Sequence, residues 1–147
     1  MIITMRVEQT QKYEKRIKYI PEGDYFIETN SGSLMYERGF DGVYGWIEGY
    51  GSPPEKHLDI YVVTQKQLSL GDRIQAKVIG CFLRNDGDNK IIAIEEERKE
   101  KDISELEYKE MSMLRGLYPR IGENEGWFGK EKAIEIMRVF RDTHFND

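Results

Sequence analysis

Apolar positions recur along this chain at two different periods, and the change of period divides it. From Ile2 to about Glu97 they come in short runs broken by turn residues, the pattern of a β-barrel or sandwich. Arg73 to Leu83 is the most regular run: Ile74, Ala76, Val78 and Phe82 alternate with Arg73, Gln75 and Lys77, which predicts one buried and one wet face. Ile79, Cys81 and Leu83 interrupt the alternation, so both faces are expected to be covered towards that end. Leu58 to Thr64 is a second β-branched run, and Leu70-Gly71-Asp72 predicts a turn between the two. Tyr25 to Glu28 and Leu34 to Glu37 flank Asn30-Ser31-Gly32, whose Asn and Gly tolerate positive φ, and the spacing predicts a hairpin. Asn85 to Asn89 predicts a loop centred on Asp86-Gly87, from which Lys90 to Ile94 returns as the next strand.

Beyond Glu95 the period lengthens. Glu95 to Asp102 is nearly all charge and reads as a solvated exit segment. Ser104 and Glu107 form a capping-box pair, and Ile103, Leu106, Met111, Leu114 and Leu117 follow helical spacing as far as Gly116 and Pro119. A second helix from Lys130 to about Thr143 places Ala133, Ile136, Met137 and Phe140 on one face. Strands followed by two helices make an α+β pattern and exclude the strand-helix alternation of a parallel sheet.

Composition narrows the picture. At 147 residues the chain is one domain, residues 1–147, large enough for a single core. Nine Tyr, six Phe and two Trp are too many for a disordered chain. A formal net charge of −5 argues against nucleic acid as a partner, since general polyanion binding needs clustered Lys and Arg. One cysteine, Cys81, and two histidines offer neither an internal disulfide nor a structural zinc set, and the expected compartment is reducing. No apolar run approaches the length of a membrane span, and the N-terminal residues carry no leader pattern, so the expectation is a cytoplasmic protein without membrane contact.

The chemistry-bearing residues fall in four stretches: Ser31-Gly32-Ser33-Leu34 with Glu37-Arg38; Val43-Tyr44-Gly45-Trp46-Ile47; His57 to Val62 with Gly71-Asp72-Arg73-Ile74 and Val78-Ile79-Gly80; and Asp88-Asn89-Lys90 leading into Ile91 to Ile94. Together, and in this order, they resemble the family I soluble inorganic pyrophosphatases; Tyr118 and Glu125-Gly126-Trp127 resemble that family's closing segment. The resemblance covers most of the chain from about Ile17. It implies a small closed antiparallel β-barrel of the oligonucleotide-binding type with two C-terminal helices packed outside, pyrophosphate or another phosphate-containing small molecule as ligand, Mg²⁺ as cofactor, and a homo-oligomer. It further implies Arg38, Lys90 and Tyr118 as phosphate-binding residues, Asp59 and Tyr44 as catalytic residues, and Asp59, Asp88 and Asp86 as metal ligands. Divalent ions would neutralise the pyrophosphate oxygens and acidify the attacking water, while Arg and Lys clamp the phosphates.

The departures from the family pattern are as informative. Its metal loop has the form Asp-x-Asp-Pro-x-Asp, and here Pro54-Glu55-Lys56-His57-Leu58-Asp59 keeps only the last acid. Asp24 and Phe26 stand where the resemblance implies a lysine and a glutamate, Tyr19 near an early glutamate, and Pro119 where it implies a lysine that Arg120 would replace. Lys56 repels a cation but would bind phosphate as a point charge. Three readings follow: a Mg²⁺-dependent pyrophosphatase of reduced activity; an inactive relative that binds phosphate or serves as a structural or regulatory subunit; and an unrelated barrel stacking bases on Tyr36, Tyr50, Tyr61 and Trp46. Each residue also has an ordinary role open to it, Arg38 as a surface partner of Glu37, Asp86 and Asp88 as hairpin formers and Tyr44 as core.

Overall fold

The computed structural model describes residues 1–145. Eight strands, β1 (Ile2–Thr10), β2 (Lys15–Ile20), β3 (Tyr25–Gly32), β4 (Gly42–Ile47), β5 (Asp59–Val63), β6 (Arg73–Leu83), β7 (Lys90–Glu95) and β8 (Gly126–Gly129), are joined by helices α1 (Leu34–Glu37), α2 (Tyr108–Leu117) and α3 (Lys130–Phe145). Strands β1, β4, β5, β7 and β6 pair in that order and β6 pairs back to β1, which closes a five-stranded barrel; β8 is added outside, on β6. The expected α+β barrel with C-terminal helices is therefore present. One junction departs from the antiparallel expectation, because β5 and β7 run parallel with Asp59 opposite Lys90. The loop from Tyr118 to Gly129 also contains a strand, β8, which four residues were too few to signal.

Strand alternation sorts side chains into two clusters. Ile3, Met5, Val7, Val43, Ile47, Ile60, Val62, Ala76, Val78, Ile91 and Ala93 fill the barrel, and Ala133, Met137 and Phe140 of α3 join them. Tyr44, Tyr61, Val63, Ile79, Ile92 and Ile94 point outward under Met35, Leu114 and Leu117 of α1 and α2. The break in the β6 alternation is a register shift between Val78 and Gly80. The extra residue reverses the facing, so Cys81 joins the inner cluster and Phe82 stacks on Tyr118, whereas simple alternation placed Phe82 with Ala76. Gly45 lets β1 and β4 approach: a Cβ there would lie 1.8 Å from the Arg6 carbonyl oxygen.

Two local expectations are corrected. Leu34 to Glu37 is a helix and not the return arm of a hairpin; β3 pairs instead with β2. The Ser33 hydroxyl accepts from the Tyr36 N–H, and Gly39 at φ 62 ends the turn with Phe40 N–H bonded to Met35 C=O at 3.0 Å, a Schellman-type stop. Likewise Ser104 to Leu117 is not one helix. A single 3-10 turn (Ile103–Glu105), capped by Asp102, is followed by a break at Leu106 before α2 begins. Asp102 holds Ser104 N–H with one oxygen and Lys130 N–H with the other at 2.8 Å, and so joins this turn to the start of α3. The charged run after β7 is not solvated throughout, since Arg98 bonds Glu110 with both terminal nitrogens at 2.7 Å. Among the described residues no helix is long and apolar enough to cross a membrane.

Candidate phosphate-binding site

The outward face of β4, β5 and β7 carries the polar centre. Alternation aims Tyr44, Asp59, Tyr61 and Lys90 the same way as the apolar outer cluster, and the parallel β5–β7 pairing sets Asp59 beside Lys90 at the start of both strands. Lys90 Nζ donates to Asp59 Oδ2 at 2.8 Å, Asp88 Oδ2 at 3.0 Å and Tyr44 Oη at 3.1 Å, which uses all three ammonium protons. Asp59 Oδ1 faces His57 Nε2 at 2.8 Å, while His57 Nδ1 lies 2.6 Å from the Glu55 carbonyl oxygen. Both ring nitrogens then face acceptors, the arrangement that suits the imidazolium.

The electrostatics are those of buried charges held by partners. Burial alone would raise the pKa of Asp59, but the hydrogen bond from His57 and the charge of Lys90 outweigh it and hold the carboxyl well below its ordinary range. Burial also opposes the charge of Lys90, and Asp59 with Asp88 reverses that and raises its pKa. His57 is likewise raised, burial being outweighed by Asp59 and the Glu55 carbonyl. Tyr44 and Tyr61 are pushed upward chiefly by burial and stay protonated as hydroxyls.

Beside this centre opens a cavity of about 660 Å³ lined by Arg16, Arg38, Arg84, Lys90 and Arg120, by the hydroxyl-bearing Tyr44, Tyr61 and Tyr118, and by no carboxylate. Its roof is the junction of α1 and α2. Arg38, just past α1, donates to the carbonyls of Gly116 and Leu117 at 3.0 and 3.1 Å, an exposed C-terminus that favours a cation. Tyr118 stacks on Phe82 with centroids 4.5 Å apart and bonds Tyr61 hydroxyl to hydroxyl at 3.0 Å. Arg16 lies over the Tyr44 ring and 3.4 Å from the buried Glu8.

Of the residues singled out from sequence, Arg38, Tyr44, Lys90, Tyr118 and Arg120 line this one cavity, and Asp59 and Asp88 touch it through Lys90. Asp86 lies off it, half-exposed and 3.9 Å from Arg84. Lys56 lines a separate hollow against Ile136, Val139 and Phe140 of α3. Sequence reasoning missed Arg16, Arg84 and His57. Arg16 sits in the run Lys15-Arg16-Ile17-Lys18, whose alternation around buried Ile17 is the signal that would have marked it as a strand residue. The base-stacking reading loses its platform, since Tyr50, Tyr61 and Trp46 are buried and only Tyr36 of that set is exposed.

The residues do not fit the magnesium ions that the resemblance implies. Both Asp59 oxygens are engaged, one by His57 and one by Lys90, and Asp88 shares Lys90 and approaches Arg84 at 3.8 Å. Asp24, in the turn between β2 and β3, is held by Arg6 at 2.6 Å. Among the described residues no three His, Cys, Asp or Glu side chains gather to hold a metal ion.

Comparison with known proteins gives a consistent answer. The structure of the inorganic pyrophosphatase from Neisseria gonorrhoeae superposes with a TM-score of 0.74 at 21% identity, over 97% of this chain and 90% of that one. The enzyme from Ehrlichia chaffeensis gives 0.71 at 19% over 94% and 92%, and that from Thermus thermophilus 0.67 at 17% over 94% and 88%. Such identities establish the fold; no curated protein sequence matches the chain. The sequence model of the inorganic pyrophosphatase family, however, matches residues 1–146. With the family model spanning residues 1–146 and the barrel fold shared with solved members, the chain belongs to the inorganic pyrophosphatase family.

Proposed function

We propose that this chain binds pyrophosphate, or another small molecule carrying phosphate, in the cavity beside Lys90 and hydrolyses it weakly or not at all. The observation that carries the reading is the lining itself: four arginines and a lysine converge with three tyrosine hydroxyls and no acid. Arginine forks match phosphate oxygens in pairs, and tyrosine hydroxyls add neutral donors. Turnover needs more than this. The family's chemistry uses a divalent metal to acidify water, and here the acids that would hold Mg²⁺ are bonded to His57 and Lys90 or face Arg84 at 3.8 Å. Asp59 cannot compensate as a general base, because a carboxylate whose pKa is depressed takes a proton from water poorly. The lone, buried Cys81 accords with a reducing compartment, and the proposal places the chain in the cytoplasm.

The full family reaction with Mg²⁺ is the competing reading, favoured by a family model that spans the chain. Phosphate release from pyrophosphate, measured with Mg²⁺ and with Mn²⁺, separates the two. The expected kcat lies below about 1 s⁻¹, the low end of ordinary enzymes. Arg38→Ala and Arg120→Ala, by loss of charge-assisted hydrogen bonds, should each weaken pyrophosphate binding in calorimetry by about 10- to 100-fold. Rapid metal-dependent release would overturn the proposal.

A further inference from the structure

The acids nearest Lys90, Arg84 and Arg16 have cationic partners supplied by the chain itself. Lys90 Nζ lies between Asp59, Asp88 and Tyr44 at 2.8, 3.0 and 3.1 Å. Its side chain is 6% exposed and that of Asp59 10%, so this is an internal charge cluster and not a surface pair. Asp88 and Asp86 lie 3.8 and 3.9 Å from Arg84, and Glu8 lies 3.4 Å from Arg16. A divalent ion entering here would meet carboxylates already neutralised and five cations facing the same space.

We infer that Lys90 does in this chain the charge-balancing work of a divalent ion, so that the cavity takes up the metal-free phosphate anion. This rests on the phosphate-binding reading above and adds to it the form of the ligand. An ammonium bonded to two carboxylates cancels the repulsion that Asp59 and Asp88 would exert on an arriving anion. It does so without acidifying water, since an ammonium offers hydrogen bonds but no open coordination position. The anion is then left to Arg16, Arg38, Arg84 and Arg120, whose forks reach the cavity. Mg²⁺ competes with those arginines for the same phosphate oxygens and does not bridge them to the protein.

The test is a calorimetric titration of the full chain with sodium pyrophosphate, once in excess EDTA and once in millimolar Mg²⁺, with a parallel titration by Mn²⁺ alone followed by its paramagnetic signal. Binding in EDTA, equal or weaker binding in Mg²⁺, and no Mn²⁺ uptake are expected. Binding that requires Mg²⁺, or Mn²⁺ uptake at the Asp59–Asp88 pair, overturns the inference while leaving phosphate binding intact; no binding in either buffer overturns both. Asp88→Asn separates the two roles of that acid. The side chain is half-exposed, so the variant should fold. Removing a negative charge beside the anion should leave binding in EDTA unweakened and up to about tenfold tighter, whereas a metal-mediated site would lose affinity by losing a ligand. Lys90→Met adds a converse readout: loss of binding in EDTA with partial recovery in Mg²⁺ supports the assignment, and unchanged binding in EDTA overturns the part given to Lys90.

Discussion

At the scale of single residues the site is governed by one buried acid. Asp59 is held by two cationic partners, and its removal leaves Lys90 charged and buried with only Asp88 to balance it. Breaking a buried pair from one side typically costs about 3–5 kcal/mol, so Asp59→Asn should lower the urea midpoint strongly where a surface change would not. The pH dependence follows from the directions of the shifts. The Asp59 pKa is depressed on folding, so its contribution is fully present above the ordinary carboxylate pKa of about 3.9 and is lost as pH falls towards the folded value. His57 is raised, so its contribution is present below about 6.5 and fades as pH rises through its folded pKa. Wild-type unfolding free energy should thus fall both below about pH 4 and above about pH 6.5, and Asp59→Asn should flatten both limbs, the second because His57 loses the carboxylate it donates to. An acid limb of unchanged slope in the variant would show that other carboxylates, not Asp59, set it.

At the scale of elements, the β2–β3 hairpin is fastened to the barrel by a clamp around one arginine. Arg6, projecting from β1, lies 5.3, 5.5 and 5.9 Å from the ring centres of Tyr19, Phe26 and Trp46 and 2.6 Å from Asp24. Asp24 is largely exposed, so its ion pair is screened, and the desolvated aromatic contacts carry more of the attachment. Arg6→Gln is therefore expected to speed tryptic cleavage at Lys15, Arg16 and Lys18 in the native protein, and Asp24→Asn to do so much less; equal effects would place the attachment in the ion pair. This clamp was not legible in the sequence, because its members lie on four strands, β1 to β4, and the β2–β3 turn, whose pairing no local pattern announces. What was legible were the long elements. The β6 and α3 boundaries followed from periodicity because each repeats its pattern several times. Helix α1 has one turn, too short for a period, and Ser33 and Gly39 were its only signals. The β6 bulge reversed a correctly read alternation, since one inserted residue changes which face every later side chain takes. Lys56 was placed by its position in the metal loop, yet its side chain faces α3.

At the scale of the whole molecule, charge is segregated. The chain carries a formal net charge of −5, while the cavity presents only cations. Composition alone could exclude a general polyanion binder but could not reveal this local excess, which exists only once β2, β6, β7 and the segments after α1 and α2 are brought together. The segregation has a measurable consequence. A multivalent anion approaching a negative protein is repelled at long range and attracted within the cavity, and the two forces respond to salt differently. Screening lengths of about 10 Å at 0.1 M and 3 Å at 1 M remove the distant repulsion first and the near attraction later. Pyrophosphate affinity in EDTA is therefore expected to change little up to about 0.1 M salt and then to fall by roughly tenfold or more towards 1 M, as the exposed Arg38 and Arg120 are screened while Lys90 is not. Arg120→Ala should shorten that fall, having already lost one of its exposed charges. An affinity that stays constant across the whole salt range would mean that the arginines are spent on Glu8, Asp86, Asp88 and the α2 carbonyls, and that the cavity's positive lining is a feature of the fold with no anion to hold.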